Sequence, residues 1–197
     1  MKIGIFGGSF NPIHNGHMNL ALSAKDQLGL DRVIIMPSGT APHKSSSEYA
    51  PAEDRLSMCR LAAEEHDCFE VSDYEIRRKG KSYTVYTAEY LKKIFPDDEL
   101  FLLVGSDMLL SFESWFRYRD ILSLVSLAAV SREGNDAKEL YETAENLSDF
   151  GRVFVVKTSA VVISSSEIRN MIKNNGDFAC YLNEKVVKYI MLKNLYT

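Results

Sequence analysis

Two histidines three residues apart, His14 and His17, close the segment Gly7-Gly-Ser-Phe-Asn-Pro-Ile-His-Asn-Gly-His17. At about 100° per residue a helix start places such a pair roughly 60° apart, so both imidazoles can face one phosphate. Gly16 between them lets backbone or a nucleobase come close. Before the segment runs a short β-rich stretch, Lys2 to Phe6, and after it Leu20, Ala21, Ala24 and Leu28 recur at helical spacing. A loop between a strand and a helix N-terminus is where an α/β fold receives phosphate groups. The pattern lacks G-x-G-x-x-G, which weakens a dinucleotide-redox role. The plain alternative is an Asn11-Pro12 turn followed by histidines that cap a helix.

Other segments carry similar chemistry. In Ile163-Ser-Ser-Ser-Glu-Ile-Arg169, Ser164 and Glu167 have the spacing of a capping box. That box leaves N–H groups of Ser165 and Ser166 at a helix N-terminus, which with Arg169 suit β- and γ-phosphates. Taken alone, the segment reads first as an ordinary helix cap, since the capping box is a common motif. Pro42-His43-Lys44 puts a lysine in a Ser- and Pro-rich loop, where a flexible lysine is ordinarily solvated. Lys81-Ser-Tyr-Thr84 opens a helix and also reads as an N-cap, and Gly105-Ser-Asp107 follows a strand and also fits a capping aspartate. Trp115, the sole tryptophan, and Phe116 follow shortly after.

Together, G-G-S-F-N-P-x-H-x-G-H and I-S-S-S-x-x-R resemble the two signatures of the nucleotidyltransferases related to class I aminoacyl-tRNA synthetases. Ser166 stands where threonine is commoner, with the hydroxyl retained. The P-H-K, S-Y-T, G-x-D and tryptophan elements resemble those of the bacterial nicotinate-nucleotide adenylyltransferases, from Lys2 to the closing Val186–Tyr196 segment. The resemblance implies an ATP site of Gly7, Gly8, Ser9, Phe10, His14, His17, Lys44, Gly105, Asp107, Ser164, Ser165, Ser166 and Arg169. It assigns the nicotinate mononucleotide to Ser9, Lys44, Tyr83, Thr84, Trp115 and Phe116, with the indole stacked on the pyridine ring. His14 and His17 are the expected catalytic pair. Magnesium is expected to arrive with ATP, since no protein cluster of carboxylates or histidines is apparent to hold it. Within the superfamily, phosphopantetheine adenylyltransferases and cytidylyltransferases are the competing activities. A non-catalytic nucleotide sensor is the competitor from another class.

These residues must be held by an alternation of helices and strands. Strands are expected at Lys2 to Phe6, Arg32 to Met36, Phe69 to Ile76, Glu99 to Val104, Leu124 to Val130 and Arg152 to Val156. Helices are expected after Pro12, from Pro51 to about Glu65, Tyr83 to Ile94, Asp136 to Leu147, Ser165 to Asn174 and Asn183 to Leu195, and Pro37 to Ala50 is expected as a loop. That order predicts an α/β chain with a Rossmann-like doubly wound parallel sheet, C-terminal helices and one domain over residues 1–197. A formal charge of −4 offers no bulk attraction for nucleic acid or an anionic membrane. No apolar run approaches a signal peptide or a membrane span, so the expected compartment is the cytoplasm. Cys59, Cys68 and Cys180 are expected to be reduced and structural. The oligomeric state is left open, a homo-oligomer included.

Overall fold

The computed structural model describes residues 1–39, 49–78, 80–132, 137–158 and 163–197. The chain alternates as expected: β1 (Lys2–Gly8), α1 (Asn15–Leu28), β2 (Arg32–Pro37), α2 (Ala52–Ala63), β3 (Phe69–Val71), α3 (Tyr74–Arg77) and α4 (Thr84–Ile94). It continues with β4 (Glu99–Gly105), α5 (Ser106–Leu110), α6 (Tyr118–Leu124), β5 (Ser126–Arg132), α7 (Ala137–Leu147), β6 (Val153–Thr158), α8 (Ser165–Lys173) and α9 (Glu184–Lys193). The strands form one sheet in the order β3-β2-β1-β4-β5-β6. Every neighbouring pair is parallel. The order reverses direction between β1 and β4, and ligands of doubly wound sheets bind at the carboxyl ends of the strands flanking such a reversal.

The two-residue period of a strand sorts its side chains into two cores. In β4, Phe101 and Leu103 pack with α1, α2, α8 and α9 residues such as Ala21, Met58, Ile168 and Val186. Leu100, Leu102 and Val104 point the other way and pack with Val85, Leu109, Ile121 and Leu140 of the opposite helix layer. Near-continuous apolar strands are what burial on both faces demands. Gly4 on β1 faces the first layer, where an added Cβ would meet Leu30 and Val33 side chains at 3.0 Å. That position therefore leaves room for Leu30 and for the side chains of the two flanking strands to close over β1. At the β6 edge, Gln27 of α1 donates to the Lys157 carbonyl at 2.5 Å and accepts from the Lys157 N–H at 3.1 Å.

Several boundaries differ from expectation. The strand expected through Ile76 stops at Val71, and Tyr74–Arg77 is a turn of helix. That turn carries Glu75 inward, where the Thr87 hydroxyl donates to its carboxylate at 2.6 Å. Leu124 ends a helix instead of opening a strand, because the Val125 N–H still closes on the Ile121 carbonyl at 3.0 Å. Pro51, Tyr83 and Asn183 are N-caps and not first-turn residues. All three cysteines are unpaired, Cys59 buried and Cys180 exposed, so the structural role fits Cys59 better than Cys180. No helix among the described residues is long and apolar enough to cross a membrane.

Candidate active site

The expected phosphate loop leaves β1 at Gly8 and enters α1 with His14 as N-cap and His17 at the third helical position. The His14 N–H donates to His17 Nδ1 at 3.2 Å, and the His17 N–H to the His14 carbonyl at 2.8 Å. An imidazole whose Nδ1 accepts carries its proton on Nε2 when neutral, so His17 presents a donor on its far side. The two rings stack with centroids 3.6 Å apart. Phe10, buried at a left-handed φ of 45°, sets its ring edge-on to His17 at 5.1 Å and to Phe6 at 5.3 Å. Gly8 lies under that ring: an added Cβ would meet Phe10 ring carbons at 2.9 Å. The peptide between Asn11 and Pro12 is cis.

The second motif docks directly on this loop. Ser164 caps α8, accepting from the Glu167 N–H at 3.2 Å while the Ser164 N–H donates to Glu167 Oε2 at 2.8 Å, so the expected capping box is formed. The Ser165 hydroxyl then donates to the Pro12 carbonyl at 2.9 Å. Arg169, one turn on, donates to the Asn11 carbonyl at 3.0 Å and to the Ser166 hydroxyl at 3.1 Å. Segments more than 150 residues apart thus meet where Ser165 and Arg169 of α8 hold the Asn11–Pro12 turn of the histidine loop. A helix N-terminus beside an arginine is suited to a multiply charged anion.

A family model described as cytidylyltransferase-like matches residues 5–171. A Clostridium botulinum protein named "probable nicotinate-nucleotide adenylyltransferase" is 39% identical over 197 residues, 99% of this chain and 98% of the relative. A Clostridium tetani protein of the same name is 35% identical over 197 residues, with the same coverage. The chain belongs to the nicotinate-nucleotide adenylyltransferase family. Its fold is that of solved family members: Plasmodium falciparum nicotinic acid mononucleotide adenylyltransferase complexed with NaAD matches 99% of this chain and 97% of its own, with a TM-score of 0.82 at 19% identity. The same enzyme complexed with APC gives a TM-score of 0.80 at 18% identity over 99% of this chain.

In this adenylyltransferase chain, the S-Y-T and tryptophan elements also meet. Tyr83, the N-cap of α4, packs its ring on Phe116 at 4.8 Å, and Tyr86 completes the group at 6.3 Å from Phe116. Thr84 opens α4 beside them. Trp115 leans instead on Phe112, centroids 5.0 Å apart, and its backbone N–H donates to the Phe112 carbonyl at 2.9 Å. Gly105 caps α5, and an added Cβ there would lie 2.7 Å from Asp107 Oδ1, so the exposed aspartate folds back over the strand end. Lys44 lies outside the described residues. Among them no group of three or more histidine, cysteine or acidic side chains is arranged to hold a metal.

Three supporting residues were not among the expected site residues. Asn11, 2% exposed, accepts at its side-chain oxygen from the Ala50 N–H at 3.0 Å and the Tyr196 hydroxyl at 2.9 Å. Burial pushes the Tyr196 phenol above its ordinary value. Arg55 donates to four carbonyls, of Ser9 at 2.6 Å, Ser38 at 2.7 Å, Gly39 at 3.1 Å and Ala50 at 3.2 Å. Burial lowers the pKa of its guanidinium from the ordinary arginine value. The sequence does carry a signal for Arg55: it interrupts the apolar face formed by Leu56, Cys59 and Ala62, where a charge needs a reason.

Proposed function

We propose that the protein transfers AMP from ATP to nicotinate mononucleotide, forming nicotinate adenine dinucleotide and pyrophosphate for NAD biosynthesis. A phosphate oxygen of the mononucleotide attacks the α-phosphorus of ATP in line. The new P–O bond forms as the bond to the β-phosphate oxygen breaks, and that electron pair leaves with pyrophosphate. The observation that carries this reading is the docking of α8 on the histidine loop, through Ser165 on Pro12 and Arg169 on Asn11.

The attacking group is already an anion, so alignment and charge neutralisation do the work that a strong base does elsewhere. In this reading His17 Nε2–H and His14 donate to α-phosphate oxygens as charge builds. The α8 N-terminus and Arg169 take the β- and γ-phosphates, and Lys44 adds charge there. Asp107 takes ribose hydroxyls, and Tyr83, Thr84, Trp115 and Phe116 receive the pyridine end. Magnesium, arriving on the triphosphate, would neutralise part of its charge. One domain suffices for this chemistry in a cytoplasmic setting, and neither nucleic acid nor membrane takes part.

Pyrophosphate release from magnesium-ATP is measured with nicotinate mononucleotide, nicotinamide mononucleotide or phosphopantetheine supplied separately. Strong preference for the first is expected. Activity only with another acceptor moves the substrate assignment, and silence with all three removes the enzymatic reading. His17→Ala is expected to lower turnover by about 100-fold or more, and wild-type turnover in that variant sinks the proposed role.

A further inference from the structure

Arg55 is 3% exposed on the buried face of α2, and no acidic side chain among the described residues pairs with it. Desolvating a charge is costly unless polar groups replace water. Here the replacement is a set of backbone carbonyls drawn from three segments: Ser9 after β1, Ser38 and Gly39 after β2, and Ala50 before α2. A guanidinium is a rigid planar fork, so its donors dictate where those carbonyls sit.

The Ser9 carbonyl is the consequential one. Because a peptide is planar and trans, holding that oxygen 2.6 Å from Arg55 turns the Phe10 N–H to the opposite side. The next rotation is the left-handed φ of Phe10, a conformation disfavoured for a non-glycine residue, which needs an external hold. The ring placed by that rotation is the one standing edge-on to His17. On its other side, Arg55 reaches Gly39, whose N–H donates to the Ser82 hydroxyl at 3.2 Å, next to Tyr83.

We propose that Arg55 is a positioning residue for the transfer reaction, its guanidinium fixing the Ser9–Phe10 peptide and, through the Phe10 ring, the His17 imidazole. This inference rests on the adenylyl-transfer reading above. The guanidinium touches no reacting group. It acts by geometry, and a lysine, which keeps the charge but lacks the fork, does not replace it.

The test compares wild type, Arg55→Lys and Arg55→Ala, each per folded molecule as judged by circular dichroism. In Arg55→Lys, kcat should fall about 100-fold with little change in KM for ATP, the signature of misaligned groups and not of lost ground-state binding. Arg55→Ala should regain part of its kcat in millimolar guanidinium but not in the same concentration of sodium or ammonium chloride. Near-wild-type kcat in Arg55→Lys, a loss confined to KM, or no selective rescue by guanidinium overturns the proposal. If both variants fail to fold, nitrogen-15 NMR of the wild-type protein decides. Distinct, slowly exchanging Arg55 Nη–H signals that shift with magnesium-ATP support the clamp, and a single averaged set overturns it. An inactive wild type defeats the function itself, whereas an active wild type beside an unaffected Arg55→Lys defeats only this inference.

Discussion

Between Gly8 and Phe10 there is no spare room. A methyl group added to Gly8 would meet the Phe10 ring at 2.9 Å, and that ring is wedged against Phe6 and His17. Gly8→Ala is therefore expected to cost about 1–3 kcal/mol from overpacking and to lower turnover further by displacing His17. Thermal unfolding and pyrophosphate release on the same sample separate the two effects, and an unchanged kcat would show that the Phe10 ring can yield without moving the imidazole. The histidine pair and the arginine of α8 were legible in the sequence because motif spacing survives folding: three residues at a helix start stay neighbours. Asn11 and Tyr196 were not, and for Arg55 only the misplaced charge was visible and not its role, because what these residues do is decided by carbonyls and hydroxyls elsewhere in the chain. Asn11 and Tyr196 are 185 positions apart and share one hydrogen bond.

Helix α8 delivers Ser165 and Arg169 to the histidine loop, and its first turn is set by the Ser164–Glu167 box. Ser164→Ala removes the acceptor for the Glu167 N–H, a loss of about 1 kcal/mol in local helix stability. The expected outcome is a higher KM for ATP with a small change in melting temperature. An unaltered KM would mean that the Ser165 and Arg169 contacts hold the helix start without its cap. Among the elements, the long strands and helices were legible from periodicity, whereas α3, α5 and α6 were not. Each of these is at most seven residues long, too short to repeat a helical period, and each exists because of its neighbours. The turn that replaced the end of the expected strand at Ile76 is held by Glu75 reaching Thr87 across to α4. The arrangement of the sheet followed from the alternation of strand and helix, while the docking of α8 on the first loop depended on two carbonyls that no pattern marks.

For the molecule as a whole, the buried carboxylate of Glu75 links stability to pH. Burial raises its pKa above the usual carboxylate value, opposed by hydrogen bonds from Thr87 and Ser82 and by the charge of Arg78. The folded state thus holds this proton more tightly than the unfolded chain. Its contribution is full below the ordinary carboxylate range and is lost as pH rises through the raised value. Glu75→Gln, which keeps an acceptor for Thr87, is expected to melt at a higher temperature than wild type near neutral pH, with the gain shrinking on acidification. A melting series against pH checks this, and a variant less stable at neutral pH would mean that the ionised carboxylate is well compensated. The sheet itself has two borders with different fates. β3 is only three residues long. Along β6, the Gln27 carboxamide already occupies the donor and acceptor of Lys157 as a neighbouring strand would. An extended segment from another molecule would have to displace that amide before it could add to the sheet, so neither border is a ready template for the edge-to-edge growth that seeds aggregation.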